Sequence, residues 1–323
     1  MKLAVLDLGT NTFHLLIVEV RNDGSTARIF KSKIAVKLGE GAIQDKYIAP
    51  VPFARGINTL KHYAEVISKH RPEKIYAFAT SGIRSAKNGK KFIATAKKEA
   101  GIKIKVIPGE KEAELICFGV RQCVDLGDSP HLIMDIGGGS TEFIIASSKK
   151  IFWKKSFDIG ASRLLAEFKP SNPVTASEVN SIEKYLSEVL VPLNNALEKF
   201  PVDELIGSSG SFDTLAEMIG WKYHKRNVLK NVRSYRFNIH EYFHLHTQLL
   251  KSTTEQRMKM KGLIRMRVDM IVIASICMNY ILEKFNLEKM AVSKYALKEG
   301  AVWEIISKML LPEMKAKPKT GNS

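Results

Sequence analysis

Leu3-Ala4-Val5-Leu6-Asp7-Leu8-Gly9-Thr10-Asn11-Thr12-Phe13-His14 and His131-Leu132-Ile133-Met134-Asp135-Ile136-Gly137-Gly138-Gly139-Ser140-Thr141-Glu142-Phe143-Ile144 share one layout. Each is an apolar run, an aspartate, an apolar residue, a glycine, a short polar loop and a second apolar run. An offset of 128 residues lays Asp7 on Asp135 and Gly9 on Gly137. Apolar runs bounded by glycine and small polar residues read as core strands joined by a hairpin loop. Recurrence at the length of a domain, rather than at about 20–50 residues, points to a duplicated domain and not to a solenoid. Two such loops facing each other make a phosphate clamp. Glycines let backbone N–H groups converge, hydroxyls of Thr10, Thr12, Ser140 and Thr141 add donors, and a neighbouring carboxylate can hold a divalent cation. Asp7 can equally bond its own backbone to close the turn.

Outward from the first copy, Phe53, Ile57, Leu60, Tyr63, Val66 and Ile67 keep helical spacing after Pro52. Residues 74–80 then read as a strand, 89–99 as a helix and 103–107 as a strand, an αβαβ order that implies an α/β sheet. Beyond the second copy, Thr175 with Glu178 three residues on caps a long helix whose apolar positions reach Phe200, and a strand follows through 205–207. A third small-residue loop, Gly207-Ser208-Ser209-Gly210-Ser211, precedes a helix expected to start near Phe212, where free N–H groups favour an anion. Most of the remainder is helical. The expected division is 1–125 and 126–299, with a frayed tail over 313–323.

The chain has 323 residues, 45% of them hydrophobic, enough to bury a core and to exclude disorder. Cys117, Cys123 and Cys277 have no paired spacing, so neither a disulfide framework nor a cysteine metal site is indicated, and a reducing cytoplasm is expected. The N-terminus lacks the layout of a signal peptide. The longest apolar stretch, 270–282, is interrupted by Asn279 and falls short of the roughly 20 residues a bilayer requires, so no membrane association is expected. The formal net charge is +17, and between 221 and 267 twelve Lys and Arg face only Glu241 and Glu255. Such a stretch is either a solvated basic face or a track for a polyanion.

The runs 7–13, 79–88 (Ala-Thr-Ser-Gly-Ile-Arg-Ser-Ala-Lys-Asn), 107–114 (Ile-Pro-Gly-Glu-Lys-Glu-Ala-Glu), 135–142 and 207–211 occur in the order seen in exopolyphosphatases and guanosine pentaphosphate phosphatases, and residues 1–300 resemble the short form of that family. The resemblance implies two RNase-H-like domains in the actin-like ATPase, sugar kinase and heat-shock ATPase superfamily, with the active site in the cleft between them and a helix over 300–312 packing back on the first domain. It implies a cytoplasmic hydrolase that releases terminal phosphate from inorganic polyphosphate or guanosine pentaphosphate with Mg²⁺ or another divalent cation. A homodimer is compatible with it, and no dedicated nucleic-acid partner is expected.

Residue by residue, the resemblance makes Glu112 the activator of water, with Glu110 and Glu114 as close decoys, since glutamate is common in a helix's first turn. Asp135 and Glu142 match catalytic carboxylates, and Asp7, Asp135 and Glu142 are the candidate metal ligands. Phosphate falls to Gly9, Thr10, Asn11, Thr12, Arg84, Gly137, Gly138, Gly139, Ser140, the 207–211 loop and Lys298, which stands where the family commonly has arginine. A guanidinium chelates two phosphoryl oxygens, which an ammonium cannot.

His240-Glu241-Tyr242-Phe243-His244 fits the H-E-x-x-H zinc pattern, against which stands amphipathic packing of Tyr242, Phe243 and Leu245 with no third ligand at a familiar spacing. Two further readings stay open: a phosphotransferase on the same fold, and a basic polyanion- or nucleic-acid-binding module without chemistry. Glu112 in a water-activating role argues against the first, and the intact carboxylates against the second.

Overall fold

The computed structural model describes residues 1–316, with side chains through 309. The first half contains β1 (Lys2–Leu8), β2 (Thr12–Val20), β3 (Thr26–Ala35), α1 (Pro50–His70), β4 (Lys74–Ala79), the one-turn α2 (Ser81–Arg84), α3 (Gly89–Ala100), β5 (Ile104–Val106) and α4 (Gly109–Arg121). The second contains β6 (His131–Ile136), β7 (Thr141–Ala146), β8 (Ile151–Phe157), α5 (Ala161–Phe168), α6 (Ala176–Val189), α7 (Val191–Lys199), β9 (Glu204–Ser208), α8 (Ser209–Tyr223), β10 (Ser234–Arg236), α9 (Ile239–Leu250), α10 (Thr254–Met258), a 3₁₀ turn (Arg265–Arg267), α11 (Met270–Lys284), β11 (Lys289–Ser293) and α12 (Leu297–Ala316).

Both halves build the same sheet. Its order is β3-β2-β1-β4-β5 in the first and β8-β7-β6-β9-β11 in the second, with β10 added at the edge. The hairpin pairs β1–β2 and β6–β7 are antiparallel, and the crossover pairs β1–β4 and β6–β9 are parallel. This is the duplication expected from the repeat, in the RNase-H-like architecture that the family resemblance implies.

The period-2 alternation of the strands sorts side chains between layers. Leu3 and Val5 of β1, Leu16 and Val18 of β2, Ile133 of β6 and Ile144 of β7 enter one central core, together with Ala113, Ile116 and Val120 of α4 and Ala301, Val302 and Ile305 of α12. Ala4, Leu6 and Leu8 face α1 and α3 on the far side, and Leu132, Met134 and Ile136 face the helices of the second half. Helices α4 and α12 therefore lie in the layer shared by the two sheets. They approach backbone to backbone: a Cβ on Gly300 would stand 1.8 Å from the Leu115 carbonyl oxygen, and one on Gly119 2.2 Å from that of Ala296.

Several elements depart from the sequence reading. Strand β3 was not foreseen; its charged residues Arg28, Lys31 and Lys33 suit an edge strand and mask the apolar alternation. The helix capped by Thr175 has its capping box but stops at Val189, and α7 starts at Val191, because Pro192 lacks an N–H for a continuous ladder. Helix α8 starts at Ser209 rather than Phe212, so the third loop is a strand end running directly into a helix. Helix α12 continues through Ala316, past residue 312, and residues 317–323 of the expected tail lie outside the described residues.

Candidate functional site

Alternation places Asp7 on the same face of β1 as Leu3 and Val5, and Asp135 on the same face of β6 as Ile133. Both carboxylates therefore look into the central layer, at the strand ends where it opens into a cleft. Cross-strand register extends each into a row: Asp7 pairs with His14, which pairs with Lys33, while Asp135 pairs with Glu142, which pairs with Ser156. The offset of 128 that joins Asp7 to Asp135 also joins His14 to Glu142.

The cleft is a cavity of about 200 Å³ lined from the first half by Asp7, Gly9, Thr10, Asn11 and Thr12, from the second by Asp135 and Gly137–Ser140, and from α4 by Glu112. The two hairpin loops touch. A Cβ on Gly138 would lie 2.6 Å from the Asn11 side chain, and one on Gly139 would lie 2.6 Å from Ser81 Oγ. Only glycine permits that approach.

Glu112 stands in the first turn of α4 and is 7% exposed. Its decoys go elsewhere: Glu110 faces solvent, and Glu114 pairs with Lys111 and Lys154 at 2.9 Å each. Arg84, at the end of α2, donates from Nη1 to Glu112 Oε2 at 2.8 Å and to the Ile107 carbonyl at 3.1 Å. Glu142 is 1% exposed and accepts from Ser156 Oγ at 2.6 Å. Neither Arg84 nor Glu142 lines the cavity, so they form a layer behind Glu112. Ser209 donates to both carboxylate oxygens of Asp135, at 2.7 and 2.6 Å, and Ser208 also bonds Oδ2.

Of the third loop, Ser209, Gly210 and Ser211 reach the cleft. Ser208 is fully buried under Asp135, and Gly207 is covered by the Phe212 ring, so both support the wall from outside the cavity. Lys298, on the first turn of α12, is brought to the cleft by the Gly119–Gly300 contact and pairs with Glu299 at 3.2 Å.

The electrostatics follow from burying several carboxylates together. Burial, reinforced by Asp135 and Glu299 against the opposing Lys298, raises the Asp7 pKa to about 7. Burial likewise lifts Glu112 to about 7 although Arg84 opposes it. Glu142 is pushed well above the usual carboxylate range by burial, then by Glu112 and Asp135. Asp135 is raised by burial, with the Ser208 and Ser209 hydrogen bonds limiting the shift. Burial works against the charge of Lys298, but Glu299 and Asp7 more than offset it and hold its pKa above the ordinary value.

The opposite wall was not read from the sequence. His14, Lys31, Lys33, Asp213 and Arg267 all line the cleft. His14 contacts Thr12 Oγ1 through Nε2 at 3.0 Å, and burial followed by Lys298, Lys33 and Lys31 keeps its ring neutral. Lys33 falls to about 8 through burial and the repulsion of Arg267. Arg267 donates to Thr214 Oγ1 at 2.7 Å and lies across Gly210, whose absent Cβ leaves the space for its guanidinium. The signal for His14 was the same 128-residue offset; Lys31 and Lys33 needed the unforeseen β3, and Arg267 was hidden in the basic stretch.

That stretch is not one stripe. Arg257 is buried and bonds the carbonyls of Val268 and Ser252 and the side chains of Asn172 and Thr254, an internal brace for the turn that bears Arg267. Lys222, Lys225, Arg226, Lys230 and Arg233 remain exposed. In the H-E-x-x-H run on α9, Tyr242, Leu245 and His246 enter the core, His240 and His244 face solvent, and Glu241 contacts His224 at 3.0 Å. Among the described residues no group of three His, Cys, Asp or Glu side chains has metal-ligand spacing. This removes the zinc reading. It also means that Asp7, Asp135 and Glu142 do not form a ready three-carboxylate cage. No described helix is long and apolar enough to cross a membrane.

Two repeated sheets whose glycine-rich loops meet over a buried glutamate define an enzyme of the actin-like fold. The chain belongs to the Ppx/GppA phosphatase family, whose model matches residues 16–309. It is 26% identical over 310 residues to exopolyphosphatase 1 of Mycobacterium tuberculosis, spanning 94% of this chain and 87% of that one. It is 29% identical over 308 residues to the guanosine-5'-triphosphate,3'-diphosphate pyrophosphatase of Photobacterium profundum, covering 95% of this chain and 59% of that longer one. The crystal structure of an exopolyphosphatase from Cytophaga hutchinsonii superimposes with a TM-score of 0.92 at 38% identity, over 95% and 98% of the two chains.

Proposed function

We propose that this protein is a phosphoanhydride hydrolase that releases the terminal phosphate of inorganic polyphosphate or guanosine pentaphosphate. The observation that carries the reading is Glu112: one carboxylate of α4, poised near neutral pKa, at the meeting point of two glycine-rich loops. A general base works best with a pKa near the operating pH. Backbone N–H groups of Gly138–Ser140 and of Thr10 and Asn11, with the hydroxyls of Thr10, Thr12, Ser140 and Ser211, take the terminal phosphoryl group, while the N–H groups of Gly9 and Gly137 close their own turns on the carbonyls of Thr12 and Ser140. Glu112 accepts the proton of a water as that water's oxygen bonds the terminal phosphorus. The bridging P–O bond breaks, and the electron pair leaves on the shortened chain. Lys298, Arg267, Lys31 and Lys33 neutralise the departing phosphates.

A divalent cation fits the donor set, since Asp7, Glu112, Asp135 and Glu142 are hard oxygen donors whose ionisation burial disfavours and a bound cation would favour. Asp7 and Asp135, which line the cavity, would hold it with substrate oxygens and waters, in keeping with the habit of Mg²⁺ to use one or two carboxylates. When bound it polarises the phosphoryl oxygens.

The exposed lysines and arginines over 222–233 support a track for longer chains. Arg233 stacks over Tyr295 at 5.9 Å, and its carbonyl accepts from the N–H of Lys294, which lines the cleft. The decisive measurement is phosphate release from long-chain polyphosphate and from guanosine pentaphosphate, with Mg²⁺ or with EDTA. Metal-dependent release that collapses in Glu112→Gln is expected; no release from either substrate would leave a phosphotransferase or a binding module.

A further inference from the structure

A pocket of about 290 Å³ lies where the end of α8, helix α9 and the turn after α10 meet. Its floor is apolar. Met218 of α8 and Leu245 of α9 are each 2% exposed, and Met260 of the turn is half-buried. Trp221 forms one side and keeps 37% of its surface exposed, a large ring left open to water. None of these residues lines the phosphate cleft.

The rim is cationic. Lys222, Lys225 and Lys261 line the pocket together with Gln248, and among the described residues no carboxylate does. The ammonium groups have contacts, but with uncharged partners. Lys222 Nζ donates to Gln248 Oε1 at 2.5 Å, Lys225 Nζ to the Lys222 carbonyl at 3.4 Å, and Lys261 Nζ stands 6.0 Å from the centre of the Trp221 ring. Glu241, one turn before Leu245 on α9, is engaged by His224 at 3.0 Å. The positive charge over the pocket is therefore not neutralised by the residues that line it. A bare polyphosphate would use the rim and leave the apolar floor empty, and a neutral ring would use the floor and leave the rim. A ligand with both parts matches both surfaces, in a volume at the small end of the roughly 300–1,000 Å³ of small-molecule sites.

We propose that this pocket is a binding site for a small amphiphilic anion, an aromatic ring bearing one carboxylate. The ring lies on Met218, Leu245 and Met260 beside the Trp221 indole, and the carboxylate accepts charge-assisted hydrogen bonds from the lysines of the rim. Flexible, polarisable methionine side chains adapt to an aromatic face. Lysine stems that pack along apolar surface carry their ammonium groups to its edge, where a carboxylate on the ring would emerge. The site stands apart from the hydrolase reading, since it draws no residue from the cleft. Lys222 and Lys225 belong as well to the basic stretch that supports a polyphosphate track; the apolar floor is what sets this ligand apart from a phosphate chain.

Three probes separate the two parts. 1-Naphthoate carries ring and charge, 1-naphthalenemethanol the ring alone, and inorganic phosphate the charge alone. Each is titrated calorimetrically into the full chain, as wild type, as the triple variant Lys222→Gln, Lys225→Gln and Lys261→Gln, and as Met260→Trp, which fills the pocket from a half-buried position. Wild type is expected to bind 1-naphthoate with a Kd below about 1 mM, and the alcohol and phosphate at least about tenfold more weakly. The triple variant is expected to lose at least about tenfold on 1-naphthoate while its affinity for the alcohol stays within about twofold, and Met260→Trp to lose at least about tenfold on 1-naphthoate. Thermal unfolding checks that the variants are folded, and the triple variant, changed only at exposed positions, decides the matter should Met260→Trp not fold. No binding of 1-naphthoate, or binding that neither variant weakens, overturns the site. An alcohol that binds as tightly as the carboxylate, or phosphate that does so, overturns it too, leaving a plain apolar pocket in the first case and a plain cationic patch in the second.

Discussion

Arg84 donates to Glu112 Oε2 at 2.8 Å, so the guanidinium expected to bind phosphate and the carboxylate expected to activate water hold each other. The pair sits in a dry site with Glu142 behind it, where removing either partner strands the other's charge. A substrate phosphoryl group that draws Arg84 away would release Glu112 to act as base. Arg84→Lys, which keeps the charge but loses the fork, is therefore expected to raise KM and to lower kcat, whereas Glu112→Gln lowers kcat by about 10²–10⁴-fold with KM nearly unchanged. Steady-state kinetics on polyphosphate separate the two. A Glu112→Gln enzyme with undiminished kcat would remove Glu112 from the mechanism.

The pH dependence has a definite sign. Asp7 and Glu112 stand near 7 in the folded chain against ordinary values of 3.8 and 4.5. Between about pH 4 and 7 the folded state holds more protons on these groups than the unfolded state, so their contribution to stability declines as pH rises through that window and levels off above it. Asp7→Asn removes one of the two and is expected to raise the unfolding temperature at pH 8 by about 2–4 °C, with the difference from wild type closing near pH 4. Activity runs the opposite way, with kcat/KM falling below about pH 7 as Glu112 is protonated.

A divalent cation offsets the same cost of ionising buried carboxylates. In thermal unfolding at pH 8, millimolar Mg²⁺ is expected to raise the midpoint of wild type and to do so less in Asp7→Asn. Equal shifts in the two proteins would move the cation away from Asp7.

Helix α12 supplies Lys298 only because α4 and α12 can touch at glycine. A methyl group on Gly300 would stand 1.8 Å from a backbone oxygen, a contact that no rotamer relieves. Gly300→Ala is expected to cost about 3 kcal/mol or more of stability, measured by urea unfolding. Its effect on activity should exceed that of Lys298→Ala, since it displaces the whole first turn of α12.

The exposed cations over 222–233 give a length-dependent prediction. Charge reversal at Lys222, Lys225, Arg226, Lys230 and Arg233 is expected to raise KM for long polyphosphate more than for short chains, and to weaken the salt dependence of the long-chain reaction. Equal effects at both lengths would mark these residues as a solvated face.

The repeat around Asp7 and Asp135, the glycine loops and the order of most strands and helices were legible because local patterns encode them: two-residue alternation, glycine at a tight approach, a capping box at Thr175. Among the three glutamates of α4, the pattern alone could not choose, since glutamate is common near a helix start; the fold chooses, by placing Glu112 under the two loops while Glu114 meets Lys154 of β8 and Glu110 meets water. The three cations of the opposite wall escaped for a related reason. Lys31 and Lys33 alternate with small and apolar residues on an edge strand, and Arg267 looks like any other member of a basic run.

The sequence by itself therefore determined the duplication, and with it the two facing rows that begin at Asp7 and Asp135, because strand periodicity and a 128-residue offset are one-dimensional properties. Only the tertiary structure decided which charges act. Whether an arginine is a brace, as Arg257 is, or a cleft wall, as Arg267 is, depends on which carbonyls and hydroxyls distant segments bring within hydrogen-bond distance, and the pKa of a carboxylate depends on the water and charges that folding removes or brings near.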